Sequence, residues 1–234
     1  MENRVFVVDV TDDRGFYLIK SLEKEGLRAY MLHSGIIAEG KKVYVFSLVK
    51  HLQLSQVEEL EGNSTVFARV NDAHVKSFLQ KKGIKHFDFL EDNRFLMKNA
   101  YITAEGALSE IIARTKATLM NMPVLVLGYG RIAKCLAKML KGLSAKITVA
   151  SKWEKELDEA SVIANTVELD NLSLCISAFK VIVNTIPLKI IKGELIGLIS
   201  EDTFILDLAS KPGGVDFMEI KGRNLLTGLP ITVT

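Results

Sequence analysis

Two glycines separated by a single residue form the most informative short pattern in this 234-residue sequence. The stretch Gly128-Tyr129-Gly130-Arg131-Ile132-Ala133 follows an apolar run over residues 124–127 and precedes a helical pattern. Gly128 permits a tight turn, and Gly130 lets a ligand approach the main chain because it has no Cβ. Ala133 is small enough for close helix–strand packing, and the N–H groups that begin the helix attract phosphate. The pattern predicts a dinucleotide-binding turn; the alternative is a turn that joins strand and helix without a ligand.

The end of the next strand bears on which dinucleotide would bind. It reads Ala150-Ser151-Lys152-Trp153, whereas an NAD site usually has Asp or Glu there to accept from the ribose hydroxyls. The nearest acid, Glu154, comes slightly late. Ser151 can donate to a 2′-phosphate and Lys152 can neutralise it. The pattern favours NADP(H) over NAD(H), unless Lys152 is only a solvated lysine at a strand end.

Two later strands also end in polar or bending segments. They are followed by Asn184-Thr185-Ile186-Pro187 and by residues 207–214, which read DLASKPGG. The carboxyl ends of parallel strands line the cofactor crevice, so Asn184 and Thr185 are expected to bond ribose or nicotinamide. The predicted cofactor-binding residues are Gly128, Tyr129, Gly130, Arg131, Ile132, Ser151, Lys152, Asn184, Thr185, Ile186, Pro187, Asp207 and Ala209.

The elements around these residues alternate between strands and helices along the whole chain. This alternation predicts an α/β protein with two Rossmann-like domains and mainly parallel sheets. Residues 1–100 would form a flavodoxin-like or Rossmann-like domain on the substrate side. Residues 101–234 would form the NADP-binding Rossmann domain, beginning with a linker helix over 104–120 that Thr103 caps.

Hydrophobic periodicity places the individual elements. The predicted strands cover residues 4–8, 28–32, 43–46, 65–68, 84–90, 124–127, 146–150, 162–169, 181–184, 203–208 and 224–227. Besides the linker helix, the predicted helices cover residues 15–25, 71–82 with Asn71 as the cap, 132–140, 152–158 and 189–199.

Composition excludes several classes of function. Thirty basic and 28 acidic residues leave a net charge of +2, which offers no electrostatic case for nucleic acid or an anionic membrane. Cys135 and Cys175 are far apart, no His or Cys cluster has zinc spacing, and no metal site is predicted. Both cysteines are interpreted as buried thiols in a reducing compartment. Without a signal peptide or a membrane-spanning run, the sequence predicts a cytoplasmic protein.

Several of these segments together resemble the NADP-dependent A-type subunit of the dipicolinate synthases, a family found in endospore-forming bacteria. The resemblance rests on residues 124–133, Asn184–Pro187, the string DLASKPGGVD over 207–216, and Gly228-Leu229-Pro230. The DLASKPGGVD string is the most specific of them. Shorter matches are Thr103-Ala104-Glu105-Gly106 and Asp12-Asp13-Arg14. The family has an arginine at the position that looks equivalent to Lys152, which also favours NADP(H).

The resemblance implies an NADP-dependent oxidoreductase subunit that forms dipicolinate from a dihydrodipicolinate-type precursor during sporulation. It implies the flavoprotein-like B-type subunit of dipicolinate synthase as partner and the mother-cell cytoplasm as location; a homo-oligomer is also compatible with the sequence. A dicarboxylate substrate needs cations or N–H donors, and hydride transfer needs at most one acid or base. The substrate candidates are Asp12, Arg14, Thr103, Gly213 and Gly214, and the catalytic candidates are Glu105, Arg14 and Lys211. Glu105 is alternatively a capping carboxylate in the first turn of its helix.

Two departures from the family keep other functions open. The chain is short between Val43 and Thr65 and ends at Thr234, where family members continue into a further helix, so a shortened or diverged member is expected. One alternative is another NAD(P)-dependent dehydrogenase of the 2-hydroxyacid type. That class uses a His–Glu pair from the C-terminal part, whereas the four histidines here all lie in the first half, at His33, His51, His74 and His86. The other alternative is a non-catalytic NADP(H)-binding or regulatory paralogue.

Overall fold

The computed structural model describes residues 4–11, 13–32, 41–47, 52–210, 213–216, 219–220 and 225–227, and of residues 225–227 only the backbone. The chain divides into two compact units, the first ending at Leu96 and the second beginning at Met97. Among the described helices, none is both long enough and apolar enough to cross a membrane.

The first unit is a five-stranded parallel sheet. Its elements are β1 (Arg4–Val8), α1 (Asp13–Lys24), β2 (Ala29–Met31), β3 (Lys42–Ser47), β4 (Thr65–Ala68), α2 (Ala73–Lys81) and β5 (Lys85–Phe87). The strands lie in the order β2-β1-β3-β4-β5 with every pair parallel, which is the flavodoxin-like arrangement. This confirms the α/β expectation for the first half of the chain.

Alternation along these strands gives the sheet two different faces. On one face the valines of β1, β3 and β4 are buried, for example Val7, Val45 and Val66. On the other face aromatic rings from neighbouring strands stack: the centroids of Phe46 and Phe67 are 4.7 Å apart. Such cross-strand aromatic pairs stabilise the register in which they form.

The boundary between the units falls within a long helix, α3 (Asn93–Thr115), and the second unit contains a six-stranded parallel sheet. Its further elements are β6 (Pro123–Leu127), α4 (Arg131–Gly142), β7 (Lys146–Ser151), α5 (Glu154–Ser161), β8 (Asn165–Glu168), β9 (Val181–Asn184), α6 (Glu194–Leu198), β10 (Phe204–Asp207) and β11 (Leu225–Thr227). The strands lie in the order β8-β7-β6-β9-β10-β11, which is the Rossmann order, with the reversal between β6 and β9. This confirms the predicted Rossmann fold.

Residues on both sides of this sheet are buried. In β6, Val124 and Val126 pack into one hydrophobic cluster while Leu125 and Leu127 pack into another. All four side chains are fully buried. A strand covered on both faces reads as a continuous apolar run, which is why this stretch of the sequence predicted a strand.

The long helix α3 differs from the predicted linker helix over 104–120. It begins eleven residues earlier because the Asp92 carboxylate accepts from the backbone N–H of Arg94, at 2.8 Å, and caps the first turn. Thr103 lies inside the helix and donates its hydroxyl to the carbonyl of Asn99 at 2.7 Å. Thr103 is therefore not the cap. Glu105 is in the fourth turn, so its interpretation as a first-turn capping carboxylate is wrong.

Three smaller expectations also need correction. The cap of α2 is Asp72, which accepts from the N–H of His74 at 2.7 Å, and not Asn71. The predicted helix over 189–199 is shorter in the structure and corresponds to α6. The N–H of Ile191 bonds instead to the carbonyl of Gly214 at 3.0 Å, and this segment runs beside residues 213–216.

The two cysteines are half-buried rather than buried. Desolvation raises the pKa of the Cys175 thiol, which disfavours the reactive thiolate.

Candidate functional site

The turn between β6 and α4 consists of the three residues Gly128–Gly130. Gly128 has a φ of +85°, a region that favours glycine. A Cβ at this position would also lie 2.8 Å from Thr185 Oγ1 and 2.9 Å from Ile186 Cγ1. Both the backbone and the packing against the residues after β9 therefore require glycine at 128.

Gly130 is a glycine for a different reason. Its φ of −73° is accessible to any residue, and a Cβ there would meet no described atom within 4 Å. It precedes the first turn of α4, whose N–H groups have no partner within the helix. The chain itself does not need glycine here, so the open space above Gly130 fits the close approach of a ligand to the main chain.

A cleft of about 310 Å³ lies over this turn. It is formed where β6, β7 and β9 end, at the reversal of strand order, which is the usual ligand position in an open α/β sheet. Eight residues predicted for the cofactor line it: Gly128, Tyr129, Gly130, Ser151, Lys152, Thr185, Ile186 and Pro187. Four further residues, which sequence reasoning did not assign to the site, complete the lining: Trp153, Glu156, Leu169 and Leu188.

A hydrogen-bonded network joins the glycine turn to the end of β7. Ser151 is buried, and its hydroxyl donates to Glu156 Oε2 at 2.6 Å while accepting from the N–H of Trp153 at 3.1 Å. The same Glu156 oxygen accepts from the N–H of Tyr129 at 3.2 Å. A carboxylate thus reaches the cleft beside the end of β7, although β7 itself ends without an acidic residue.

Lys152 and Trp153 form the exposed rim beside this network. The Lys152 ammonium lies 5.2 Å from the centre of the Trp153 ring, within the range of a cation–π contact. Trp153 is 61% exposed. The predicted cationic residue is therefore at the cleft and on its solvent side, where it can approach a phosphate.

Asn184 and Asp207 are buried away from the cleft lining. Asn184 Nδ2 donates to Asp207 Oδ1 at 2.8 Å and to the carbonyl of Ile186 at 2.9 Å. Asp207 also accepts from the N–H groups of Ala209, at 3.1 Å, and Gly214, at 2.8 Å. These bonds hold the ends of β9 and β10 together. The two side chains do not line the cleft. They influence it indirectly, because Asn184 bonds to the backbone of Ile186, which is a lining residue.

The glycines after β10 do not offer the free N–H donors that the sequence suggested. The N–H of Gly213 donates to the carbonyl of Ser210 at 2.9 Å, and that of Gly214 donates to Asp207. A Cβ at Gly214 would collide with the amide of Asn184. The expectation that these two amides bind a substrate carboxylate is corrected accordingly: Gly214 is required by packing.

The other described candidates lie on elements that do not line this cleft. Arg131 and Ile132 begin α4 outside the cleft lining, Arg14 lies in α1, and Glu105 is exposed on α3. Asp12 and Lys211, like the Gly228-Leu229-Pro230 motif, lie outside the described residues. Over the described part of the chain, no group of three His, Cys, Asp or Glu side chains is arranged to hold a metal ion.

Comparison with known proteins agrees with this fold. Residues 92–206 match the NAD-binding domain of the D-isomer specific 2-hydroxyacid dehydrogenases. The A-type subunit of dipicolinate synthase from Bacillus subtilis (strain 168) is 25% identical over 184 residues, which cover 76% of this chain and 62% of that protein. The chain therefore spans less than two thirds of the length of this curated relative.

Solved structures show the same fold. The A-type subunit of dipicolinate synthase from Bacillus halodurans superposes with a TM-score of 0.72 at 20% identity, covering 97% of this chain and 90% of that one. D-Lactate dehydrogenase from Escherichia coli superposes with a TM-score of 0.58 at 15% identity, covering 96% and 88%. The chain is similar to the A-type subunit of dipicolinate synthase over most of its length, and residues 92–206 resemble the NAD-binding domain of the D-isomer specific 2-hydroxyacid dehydrogenases.

Proposed function

We propose that the chain is the NADP(H)-binding subunit of an oxidoreductase that forms dipicolinate from a dihydrodipicolinate-type precursor in sporulation. The observation that carries the dinucleotide part is Gly130. Gly130 lines the cleft at the reversal of strand order. Neither its backbone conformation nor its packing requires glycine, and the space that a Cβ would occupy is open. The resemblance to the A-type subunit of dipicolinate synthase supports the choice of substrate.

Each part of the cleft would serve one part of the dinucleotide. The first-turn N–H groups of α4 and the main chain of Gly130 would hold the pyrophosphate. Ser151 and Lys152 would bind the 2′-phosphate of the adenosine ribose. Thr185, which donates its hydroxyl to the carbonyl of Leu127 at 2.8 Å, still has lone pairs that can accept from ribose or nicotinamide. The bound nicotinamide would supply the hydride chemistry, and the chain would position it.

The substrate side of the proposal rests on fewer residues. A dicarboxylate is best recognised by cations, and Arg14 and Lys211 remain the candidates for this role. Glu105 remains the candidate acid or base. The flavoprotein-like B-type subunit is the proposed partner, by resemblance to the two-subunit dipicolinate synthase.

A second function is favoured by one observation. Among the described residues, no catalytic candidate lines the cleft, whereas eight predicted cofactor residues do. A regulatory NADP(H)-binding protein without its own chemistry would show this pattern. Both functions require dinucleotide binding, and only the first requires turnover.

Titration calorimetry with NADPH, NADP⁺ and NADH tests the shared requirement. We expect micromolar binding of NADPH, and the absence of binding of all three would overturn both functions. Turnover of a dihydrodipicolinate-type substrate, with and without a flavoprotein partner, then separates them. Dipicolinate formation supports the oxidoreductase, and binding without turnover in either mixture supports the regulatory protein.

Replacing Lys152 with alanine tests the cofactor preference. We expect NADPH affinity to fall about tenfold, because a charge-assisted contact to phosphate is lost at a solvent-exposed site. NADH affinity should stay within about twofold, because NADH has no 2′-phosphate. Lys155→Ala is the matched control, since Lys155 is exposed on α5 and outside the cleft lining. Equal losses for both dinucleotides would contradict a 2′-phosphate contact.

A further inference from the structure

We infer that Glu156 is a specificity-determining residue that competes with the 2′-phosphate of NADP(H) for the donors at the ribose end of the cleft. The inference rests on the proposed dinucleotide function. It assigns to Glu156 a preference opposite to that of Lys152, so that two neighbouring charges of opposite sign set the choice between NADP(H) and NAD(H).

The first argument is the position from which Glu156 reaches the cleft. It is the third residue of α5, and side chains in the first turn of a helix point back towards its N-terminus. The carboxylate therefore lies at the end of β7 although it follows Ser151 by five residues. In sequence it is too late to be an acidic residue at a strand end, but in space it takes that place.

The second argument is what the carboxylate binds. Glu156 Oε2 accepts from two donors on different elements, the Tyr129 N–H in the glycine turn and the Ser151 hydroxyl at the end of β7. These donors flank the place where Rossmann domains hold the adenosine ribose. One oxygen receiving both donors has the bonding pattern that a phosphate oxygen would have there.

The third argument is electrostatic. A 2′-phosphate can use the Tyr129 N–H and the Ser151 hydroxyl only if Glu156 gives them up, and two anions side by side repel each other. The ribose of NAD(H) instead presents neutral hydroxyls, which can donate to the carboxylate where it stands. Removing the charge of Glu156 should thus help NADP(H) and should not help NAD(H).

The experiment compares Glu156→Gln with the wild-type chain by calorimetric titration of NADPH and NADH. We expect the ratio of NADH to NADPH dissociation constants to rise about tenfold or more, mainly through tighter NADPH binding. Glu156→Ala should change the ratio in the same direction, which separates loss of the negative charge from gain of an amide donor. Glu154→Gln is the control, because Glu154 is in the same helical turn, exposed and outside the cleft lining.

Titrations with 2′-AMP and 5′-AMP confine the readout to the ribose end of the cleft. Glu156→Gln should bind 2′-AMP more tightly than the wild type does, with 5′-AMP affinity within about twofold. A ratio that stays within twofold in both Glu156 variants, while both dinucleotides still bind, overturns the inference and leaves the proposed function intact. A wild-type chain that binds neither dinucleotide overturns the proposed function and the inference with it.

Discussion

Replacing Gly130 with alanine is expected to weaken NADPH binding by about a hundredfold or more while leaving the chain folded. The added methyl group would stand where the pyrophosphate must approach the main chain. It would meet no described atom of the protein within 4 Å, and the φ of −73° suits alanine. Calorimetric titration measures the affinity, and circular dichroism with thermal unfolding reports the fold.

Gly128→Ala is the matched comparison, two residues earlier in the same turn. Here the methyl group would press on Thr185 and Ile186, and the φ of +85° would strain any L side chain. We expect a loss of stability of about 1–3 kcal/mol, in contrast to the small effect at 130. If Gly130→Ala binds NADPH as tightly as the wild type does, the pyrophosphate does not lie against this turn.

Replacing Asp207 with alanine is expected to lower the free energy of unfolding of the second unit by about 3–5 kcal/mol. The buried carboxylate accepts from Asn184, Ala209 and Gly214, and its removal leaves these donors without their acceptor. Urea unfolding followed by far-ultraviolet circular dichroism measures the change. NADPH affinity should also fall. Asn184 would no longer be held where it bonds to the backbone of Ile186, which lines the cleft.

Asp202→Ala is the control for the loss of an aspartate near the same strand. Asp202 bonds to Lys180 at 2.6 Å, but both side chains are more than half exposed. The pair is screened by solvent, so only a small change in stability is expected. If Asp207→Ala is as mild as Asp202→Ala, water must replace the lost acceptor, and the buried network is not essential to the second unit.

Local patterns in the sequence were enough to predict the strand, glycine turn and helix at which the cleft lies. The run before Gly128, the two glycines and the helical pattern after them are contiguous, so their geometry depends on neighbours in the chain. The same holds for the central strands β9 and β10, because a buried parallel strand reads as an apolar run wherever it lies. The α/β class and the Rossmann fold followed from these patterns and are confirmed by the two strand orders.

Competition between local signals accounts for some of the errors. Threonine and aspartate are both common cap residues, and only the bond from the Arg94 N–H to Asp92 shows that α3 begins before Thr103. Residues 189–192 have helical periodicity, yet Ile191 bonds to Gly214 in a stretch far along the chain. Periodicity cannot reveal such a partner, because a contact between distant stretches of the chain leaves no mark in the local pattern.

The sequence by itself determined the glycine turn between β6 and α4, the parallel architecture and the place of Ser151 and Lys152 at the end of β7. Only the tertiary structure decided which polar residues face the cleft. Asn184 and Asp207 are buried and bond to each other. The Glu156 carboxylate, on the following helix, lies 2.6 Å from the Ser151 hydroxyl. The physical reason is that residue type and spacing specify backbone geometry over a few residues, whereas a side chain's partners depend on how separate elements pack.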